Sequence, residues 1–321
     1  MLLHLRVTVP TDRTAAVREL FEGDPGTAHF AVVPGASVRP AGDLVLADVA
    51  RESADGLLTA LRELHVDRDG GIAMESVDAA VSRTAEEAER AAPGAGADAV
   101  VWEQVVRTTD SEASLSASYL AFLTIAVLLA AIAIINDSAI LTIGAMVLGP
   151  EFAPLAALAV AVVHHRRSIA RRAAVSLVVG FAVAIAVTTL AVLAGRVLGW
   201  FGPELLDAER PATGFITAPD RWSVVVAILA GIAGVLSLTS AKSGALVGVF
   251  ISVTTVPAAA DMAVSLALGG GDEFRRAATQ LGINLLGILT AAIATLALQK
   301  ALWRRVPGIV PHVDQVDRPG S

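Results

Sequence analysis

The stretch from Leu115 to Val163 reads LSASYLAFLTIAVLLAAIAIINDSAILTIGAMVLGPEFAPLAALAVAVV. Its only charged residues are Asp137 and Glu151, whereas about a quarter of the residues of a soluble domain are charged. Three polar residues separate two apolar runs, 115–135 and 139–163, and each run is long enough to cross a bilayer as a helix of about 20 residues. The stretch therefore predicts a helical membrane protein.

Four further apolar runs of similar length follow this stretch. With them, the region 115–305 is predicted to be an all-α membrane domain of six helices. The whole chain of 321 residues is 55% hydrophobic and has a mean hydropathy of +0.66. The four further predicted spans are 173–198, 222–241, 244–268 and 277–302.

The distribution of arginine predicts the orientation of these spans. Four arginines lie in the loop 164–172, and Arg304 and Arg305 follow the last run. Because Lys and Arg accumulate on the cytoplasmic side of a membrane protein, this loop and both termini are predicted to be cytoplasmic, in the cell membrane. The more acidic loop 199–221 is predicted outside, and so is the loop 269–276, although it holds two arginines.

The predicted membrane domain contains an internal repeat. Arg171–Ala174 (RRAA) recurs as Arg275–Ala278, an offset of 104 residues that also places Gly144 on Gly248. Each unit holds three spans, so the second copy lies inverted in the membrane, as a 3+3 repeat. Prolines interrupt the second and fifth spans at corresponding places, and broken helices at matching positions of two inverted halves point to a binding site near the midplane.

The candidate substrate- or ion-binding residues lie near these interruptions. An ionised carboxylate in mid-span, such as Glu151, is costly unless it is paired or hydrated, so it is a functional candidate. The alternative is a structural carboxylate that satisfies backbone donors freed by the kink. Asp261 lies either at the site or near the outer surface, and Asn136 with Asp137 either lines a pore mouth or caps a helix. The full set is Asn136, Asp137, Pro150, Glu151, Pro154, Thr254, Thr255, Pro257, Asp261 and Asn284.

Residues 1–78 are predicted to form a soluble α+β domain. Alternating apolar residues from Leu3 to Val9 indicate a half-buried strand, and further strands are predicted at 28–33, 44–49 and 72–77. With two intervening helices the order is βαββαβ, a ferredoxin-like domain. Arg39 and Asp43 flank a Pro-Gly turn and are candidates for a regulatory ligand or subunit contact; the alternative is a polar hairpin tip.

The remaining segments are predicted to connect and to end the chain. Residues 79–114 form a helical linker, in which a helix from Ala99 to about Thr109 carries an apolar stripe around Trp102. Such a helix lies on the membrane surface or packs on a neighbouring helix or subunit. Residues 306–321 are predicted to be a flexible tail.

Charge and composition exclude several classes of function. Residues 1–92 hold 9 Arg and no Lys against 16 Asp and Glu, which argues against nucleic acid as a partner. The chain has no cysteine, so disulfides and thiolate metal sites are excluded, and no metal, cofactor or catalytic set is predicted. Gly269–Asp272 matches the Gly-x-Gly-Asp string of intramembrane aspartyl proteases but lacks their second aspartate, so an enzyme is not favoured.

The sequence also resembles a known family. The run from Asn136 to Leu155, NDSAILTIGAMVLGPEFAPL, resembles the signature of the prokaryotic uncharacterised hydrophobic domain family, domain of unknown function 389 (DUF389). Val101–Val106, Ser118–Phe122 and Val33–Asp43 fit the same family. The resemblance covers nearly the whole chain and implies a bacterial or archaeal membrane protein. It implies no activity, substrate or catalytic residue.

Two functions are compatible with these features. The first is a secondary transporter or channel-like protein with a cytoplasmic regulatory domain and a midplane site between spans two and five. The second is a membrane-anchored sensor or scaffold whose ferredoxin-like domain binds a small effector or oligomerises. The predicted partners are the lipid bilayer, further copies of the chain in a homo-oligomer, and a small-molecule or ion ligand.

Overall fold

A computed structural model describes residues 1–92, 100–206, 210–211, 213, 221–240 and 247–303. The chain divides into two compact units: unit 1 is Met1–Glu103 with, among the described residues, 239–240 and 302–303, and unit 2 is Gln104–Leu238 with Ser243–Ala301. The predicted tail 306–321 lies outside the described residues.

Unit 1 contains one four-stranded antiparallel sheet. Its strands are β1 (Leu2–Val9), β2 (Thr27–Val38), β3 (Ala41–Ala50) and β4 (Gly71–Ser76), and they lie in the order β2-β3-β1-β4. Helix α1 (Thr14–Gly23) joins β1 to β2, and α2 (Arg51–Glu63) with the short α3 (Val66–Asp69) joins β3 to β4. The predicted order of strands and helices is confirmed. The β2–β3 hairpin is longer than predicted because pairing continues to Val38 and Ala41.

The alternation of apolar and polar residues in β1 determines which face of the sheet the helices cover. Leu3, Leu5, Val7 and Val9 are buried in one cluster with residues of α1 and α2, including Phe21 and Leu61. The intervening side chains, such as Arg6, point to the opposite face because successive residues of a strand alternate. Burial of one face therefore fixes the register of the sheet.

A carboxylate on the opposite face joins two strands and a further helix. The Nδ1 atoms of His4 and His29 lie 2.7 and 2.9 Å from the two carboxylate oxygens of Asp48. His29 Nε2 lies 3.0 Å from the hydroxyl of Ser82, which caps α4 (Arg83–Ala91). Burial by itself would raise the pKa of Asp48, but the hydrogen bonds and positive charge of the two histidines outweigh it, so this pKa lies below its ordinary value.

We expect unit 1 to lose stability in acid as Asp48 takes up a proton. A lowered pKa in the folded state means that the contribution of Asp48 is complete above the ordinary value of 3.8 and is lost as pH falls through the folded-state pKa. Hydrogen exchange of β1 and β3 amides in the full-length protein measures this loss. Asp48→Asn should lower protection at neutral pH and flatten the acid dependence, whereas the exposed control Asp67→Asn should not. Identical acid profiles for Asp48→Asn and the wild type would contradict the assignment.

The described part of unit 2 consists of helices joined by turns. Several of its helices are long and apolar enough to cross a membrane: four single helices, and a fifth span if α7 and α8, which are bent by 51° at a short break, are taken together. The helices are α5 (Trp102–Glu112, which begins in unit 1), α6 (Ala117–Ile135), α7 (Ala139–Leu148), α8 (Phe152–Val163), α9 (Arg167–Val197), α10 (Arg221–Thr239), α11 (Val247–Leu268) and α12 (Gly271–Trp303).

Three predictions about these helices need correction. The predicted break in the fifth span is wrong, because α11 continues as one helix through Pro257. The predicted loops 164–172 and 269–276 are mostly helical, since α9 begins at Arg167 and α12 at Gly271. Arginine is a good helix former, so helices continue beyond their apolar runs.

Contacts between helix ends define two ends of unit 2. At the first, which we call the loop end, Arg196 near the end of α9 donates to the Ala267 carbonyl near the end of α11 (3.2 Å). At the second, the basic end, Lys300 of α12 donates to the Val163 carbonyl at the end of α8 (3.2 Å), and Arg172 of α9 pairs with Asp110 of α5. The turns before α7 and α12 therefore lie at the loop end.

The apolar residues of α5 pack against protein. Within unit 2, Val106 and Ala113 contact a cluster formed by Ala157, Ile169 and Ala173. The hydroxyl of Ser176 donates to the Ala113 carbonyl at 2.7 Å. This arrangement corresponds to the packing alternative for the predicted interfacial helix.

Glycine allows α10 to approach α12 closely. A Cβ atom at Gly231 would lie 2.5 Å from the carbonyl oxygen of Ile288 and 2.8 Å from the Cβ of Ala291. Small residues are the usual means by which apolar helices pack in a membrane.

We expect Gly231→Ala to push these helices apart and to destabilise the bundle by about 1–3 kcal/mol, the usual cost of overpacking. Gly144→Ala is the matched control, because a Cβ there meets no atom within 4 Å. Thermal unfolding of the detergent-solubilised variants measures both. If both substitutions had the same effect, the close approach of α10 and α12 would be wrong.

Candidate functional site

A break between α7 and α8 places Glu151 inside unit 2. Helix α7 ends at Leu148, Gly149 is its C-cap, and Glu151 is the N-cap of α8. Pro150 has no N–H to continue the ladder of α7, and Pro154 lies in the first turn of α8, where a backbone donor is not needed. The two prolines therefore account for the end of one helix and the start of the next.

The carboxylate of Glu151 turns away from its own helix. It makes no cap hydrogen bond to α8, and it is completely buried, with 0% of its surface exposed. Its Oε1 accepts a hydrogen bond from the hydroxyl of Thr255 on α11, at a distance of 2.6 Å. The side chain therefore joins α8 to α11.

Small residues on α11 allow this short contact. Ala258, Ala259, Ala260 and Ala263 are all fully buried in the helix core. Without large side chains between them, neighbouring backbones approach closely enough for a threonine hydroxyl to reach a carboxylate. Pro257 follows Thr255 by two residues within the same helix, and the side chain of Thr254 lies outside the described part of the chain.

Other buried polar groups belong to the same core. Asn284 on α12 is 0% exposed, and its Oδ1 lies 3.4 Å from the amide nitrogen of Gln280. Tyr119 on α6 is buried against Gly180, where a Cβ would lie 2.7 Å from the ring. Tyr119 belongs to the same buried cluster as Leu155 of α8.

The acidic candidates at the loop end make ordered contacts. Asp261 pairs with Arg210, whose Nη1 lies 3.2 Å from Oδ1, and both side chains are largely buried. Asp137 accepts hydrogen bonds from the backbone N–H and the hydroxyl of Thr213, at 2.9 and 2.8 Å. The amide of Asn136 donates to the Ile132 carbonyl at the end of α6. These contacts hold the loop end together. They lie nearer to that end of the helices than the Glu151–Thr255 pair does.

The two candidates in unit 1 lie at the tip of the β2–β3 hairpin. Asp43 is buried, and accepts hydrogen bonds from the hydroxyl of Thr14 (2.6 Å) and from the N–H of Gly35 (2.8 Å). These two bonds hold the pKa of Asp43 below its ordinary value. Arg39 is exposed. The Asp43 carboxylate is thus used to fix the hairpin, and Arg39 is the accessible member of the pair.

The polar groups of the buried site present oxygen atoms as possible ligands. A carboxylate, hydroxyls and amides are present around α8, α11 and α12, and no group of three or more His, Cys, Asp or Glu side chains that would hold a metal ion occurs in the described ranges. Sequence reasoning found Glu151, Thr255, Asn284 and Asp261. It missed Tyr119 and Arg210, for which the only signals were a single tyrosine in an apolar run and an arginine in an acidic loop.

The fold and the site define a protein with a small α+β unit and a helical unit whose apolar helices enclose a carboxylate. Residues 146–290 match the family described as Domain of unknown function (DUF389), which confirms the resemblance drawn from the sequence. The chain is also similar to an uncharacterized protein of Methanocaldococcus jannaschii, with 28% identity over 208 residues, which is 65% of this chain and 61% of that relative. No solved structure matches the chain.

We expect Thr255→Val to destabilise the protein by about 1–3 kcal/mol, because it removes a donor from a buried carboxylate. Thr290→Val is the matched control, since the Thr290 hydroxyl is exposed and bonds only within its own helix. Thermal unfolding in detergent measures the difference. Equal stability of the two variants would show that the Thr255–Glu151 hydrogen bond is not formed.

Proposed function

We propose that this protein is an integral membrane protein of the transporter or channel-like class, in which Glu151 binds a proton or a small cation near the middle of the bilayer. The single observation that carries the proposal is the fully buried Glu151 carboxylate in contact with Thr255 between two apolar helices. An ionisable group in such a place is costly and is a functional site by default.

The outward surface of unit 2 supports its placement in a membrane. Large apolar side chains are exposed along several helices, for example Val178 (70%), Leu190 (66%) and Leu229 (59%). Such residues would be unfavourable in water and are suited to lipid. Trp200 and Trp222 are exposed near the loop end, where tryptophan side chains suit a membrane–water interface.

The orientation proposed from the sequence is compatible with these ends. The basic end carries Arg166, Arg167, Arg171 and Arg172, and basic residues favour the cytoplasmic side. The loop end then faces outward, and α11, the predicted fifth span, brings the number of proposed spans to six. In this arrangement both termini are cytoplasmic.

The contact between Glu151 and Thr255 also supports an inverted repeat. The two residues are 104 positions apart, which is the offset between the two Arg-Arg-Ala-Ala segments. A two-fold axis relates each residue of one half to its equivalent in the other half, and equivalent residues touch only where the axis passes. A contact between positions related by this offset is therefore what a 3+3 inverted repeat requires at its centre.

The two halves of the proposed repeat differ at this centre. The first half has a 51° bend between α7 and α8, whereas α11 is continuous through Pro257. Secondary transporters alternate between states by moving one repeat against the other around a fixed site. The difference is compatible with a single state of such a cycle, in which only one of the two proline-containing spans is broken.

A sensor or scaffold built on unit 1 is the second candidate. The ferredoxin-like order of strands supports it, and His4, Arg6, Ala73 and Glu75 line a cavity of about 140 Å³ on the outer face of the sheet. Ligand pockets usually measure about 300–1,000 Å³, so this cavity suits only an ion or a very small effector. Self-association of unit 1 stays a prediction.

The test is ion flux in proteoliposomes. With a pH-sensitive dye inside the vesicles and Na⁺ or K⁺ gradients across them, the wild type should carry protons or one of these cations. Glu151→Gln should reduce the flux by at least about tenfold, because it removes the charge but keeps the shape of the side chain. Glu204→Gln, the same change at an exposed loop position, should leave the flux unchanged. Normal flux in purified, folded Glu151→Gln would overturn the role of Glu151.

A further inference from the structure

Unit 2 contains buried oxygen atoms that the bundle itself does not satisfy. The hydroxyls of Ser265 and Thr188 and the Oε1 atom of Gln280 are buried and have no hydrogen-bond partner among the described residues. A buried polar atom that nothing binds is costly. Three of them on three different helices, α11, α9 and α12, indicate that water or a ligand reaches this part of the bundle.

These atoms form a series in depth between the loop end and Glu151. At 1.5 Å per residue along each helix, Ser265 lies about 5 Å from the loop end, and Thr188 and Gln280 lie about 14 Å from it. Asn284 and Thr255, the partner of Glu151, both lie about 20 Å deep. Asp261, paired with Arg210, falls within the same series, at about 11 Å.

The series ends at Tyr119. Its hydroxyl is also buried and has no hydrogen-bond partner within the described ranges, and its ring packs against Gly180. On the basic side of Tyr119 the next buried hydroxyl, Ser176, is already satisfied by the Ala113 carbonyl. Most other buried side chains in that half are apolar, including Leu155, Ala159, Val160, Ala173, Ala292 and Leu296. The buried polar atoms His164 Nε2 and Gln299 Oε1 lie beyond them, at the basic end itself.

We propose that the side chains of Ser265, Thr188 and Gln280 line an access path into unit 2. Along this path a small monovalent cation, a hydronium or alkali ion, reaches Glu151 from the loop end. The inference rests on the proposed function and adds the route and the side of entry. Hydroxyl, amide and carboxylate oxygens are the ligands of hard cations. Glu151 supplies one negative charge at the end of the path, which matches a single positive charge on the ligand.

The chain is suited to a direct test because it contains no cysteine. A single substitution therefore creates a unique thiol, and a positively charged, membrane-impermeant thiol reagent reports whether water reaches it. Ser265→Cys and Thr188→Cys are the test variants, and both changes are small. Ala159→Cys and Ala292→Cys are matched controls, buried in the half between Tyr119 and the basic end.

Two exposed positions identify the sides of the vesicle. Leu198, at the end of α9, is 64% exposed and marks the loop end, and Ser168, in the first turn of α9, is exposed and marks the basic end. The expected result is that Ser265→Cys and Thr188→Cys are labelled only when the reagent is on the side that labels Leu198→Cys, and that Na⁺ or acid slows this labelling. The two control thiols should stay unlabelled.

Three results would overturn the path. These are no labelling of either test thiol in protein that elutes as a folded species, labelling from the Ser168 side, or equal labelling of the controls. The readout does not require flux, so the two proposals fail separately. Normal flux in Glu151→Gln would remove the proposed function and leave a hydrated crevice, whereas unlabelled test thiols would remove the path and leave Glu151 as the site.

Discussion

A carboxyl group buried among apolar helices places strict demands on its surroundings, since its charged or protonated form must still find hydrogen bonds. In unit 2 these demands are met by a break in one span and by a hydroxyl from another. The break at Gly149 and Pro150 takes Glu151 out of a regular helix and turns its side chain towards α11. The alanines after Thr255 let α11 approach, so that the two oxygen atoms lie 2.6 Å apart.

The same contact connects several other features of the protein. Glu151 and Thr255 occupy corresponding positions of the proposed repeat, and the unsatisfied oxygens of α9, α11 and α12 lie on one side of them. On the other side most buried residues between Tyr119 and the basic end are apolar, and the buried hydroxyl of Ser176 is bonded to the Ala113 carbonyl. A polar site that is lined on one side and packed on the other is the arrangement expected for a protein that admits an ion from one side at a time.

Much of the helical unit was predictable from the sequence because apolar length and proline position act locally. The runs of about 20 apolar residues predicted the long apolar helices, and Gly149-Pro150 predicted the break before Glu151. Pro257 was misleading, because a proline in a buried helix is tolerated when neighbouring helices satisfy the freed backbone groups. The sequence could not show the pairing of Asp261 with Arg210 or the packing of Tyr119 against Gly180, since these depend on contacts between distant segments.

The soluble unit was predictable for a similar reason. Alternation of apolar residues in β1 and the turn residues between strands gave the order βαββαβ. The role of Asp48 was not visible, because its two histidine partners come from β1 and β2 and meet it only after the sheet has formed. Long-range polar contacts are thus the part of both units that required the structure.

The most direct measurement is an experimental structure of the protein in a lipid mesophase. We expect the Glu151 carboxylate and the Thr255 hydroxyl to lie within hydrogen-bonding distance at the middle of the bilayer, enclosed by protein. A structure in which Glu151 faces lipid, or in which α8 and α11 are separated at this level, would contradict this expectation.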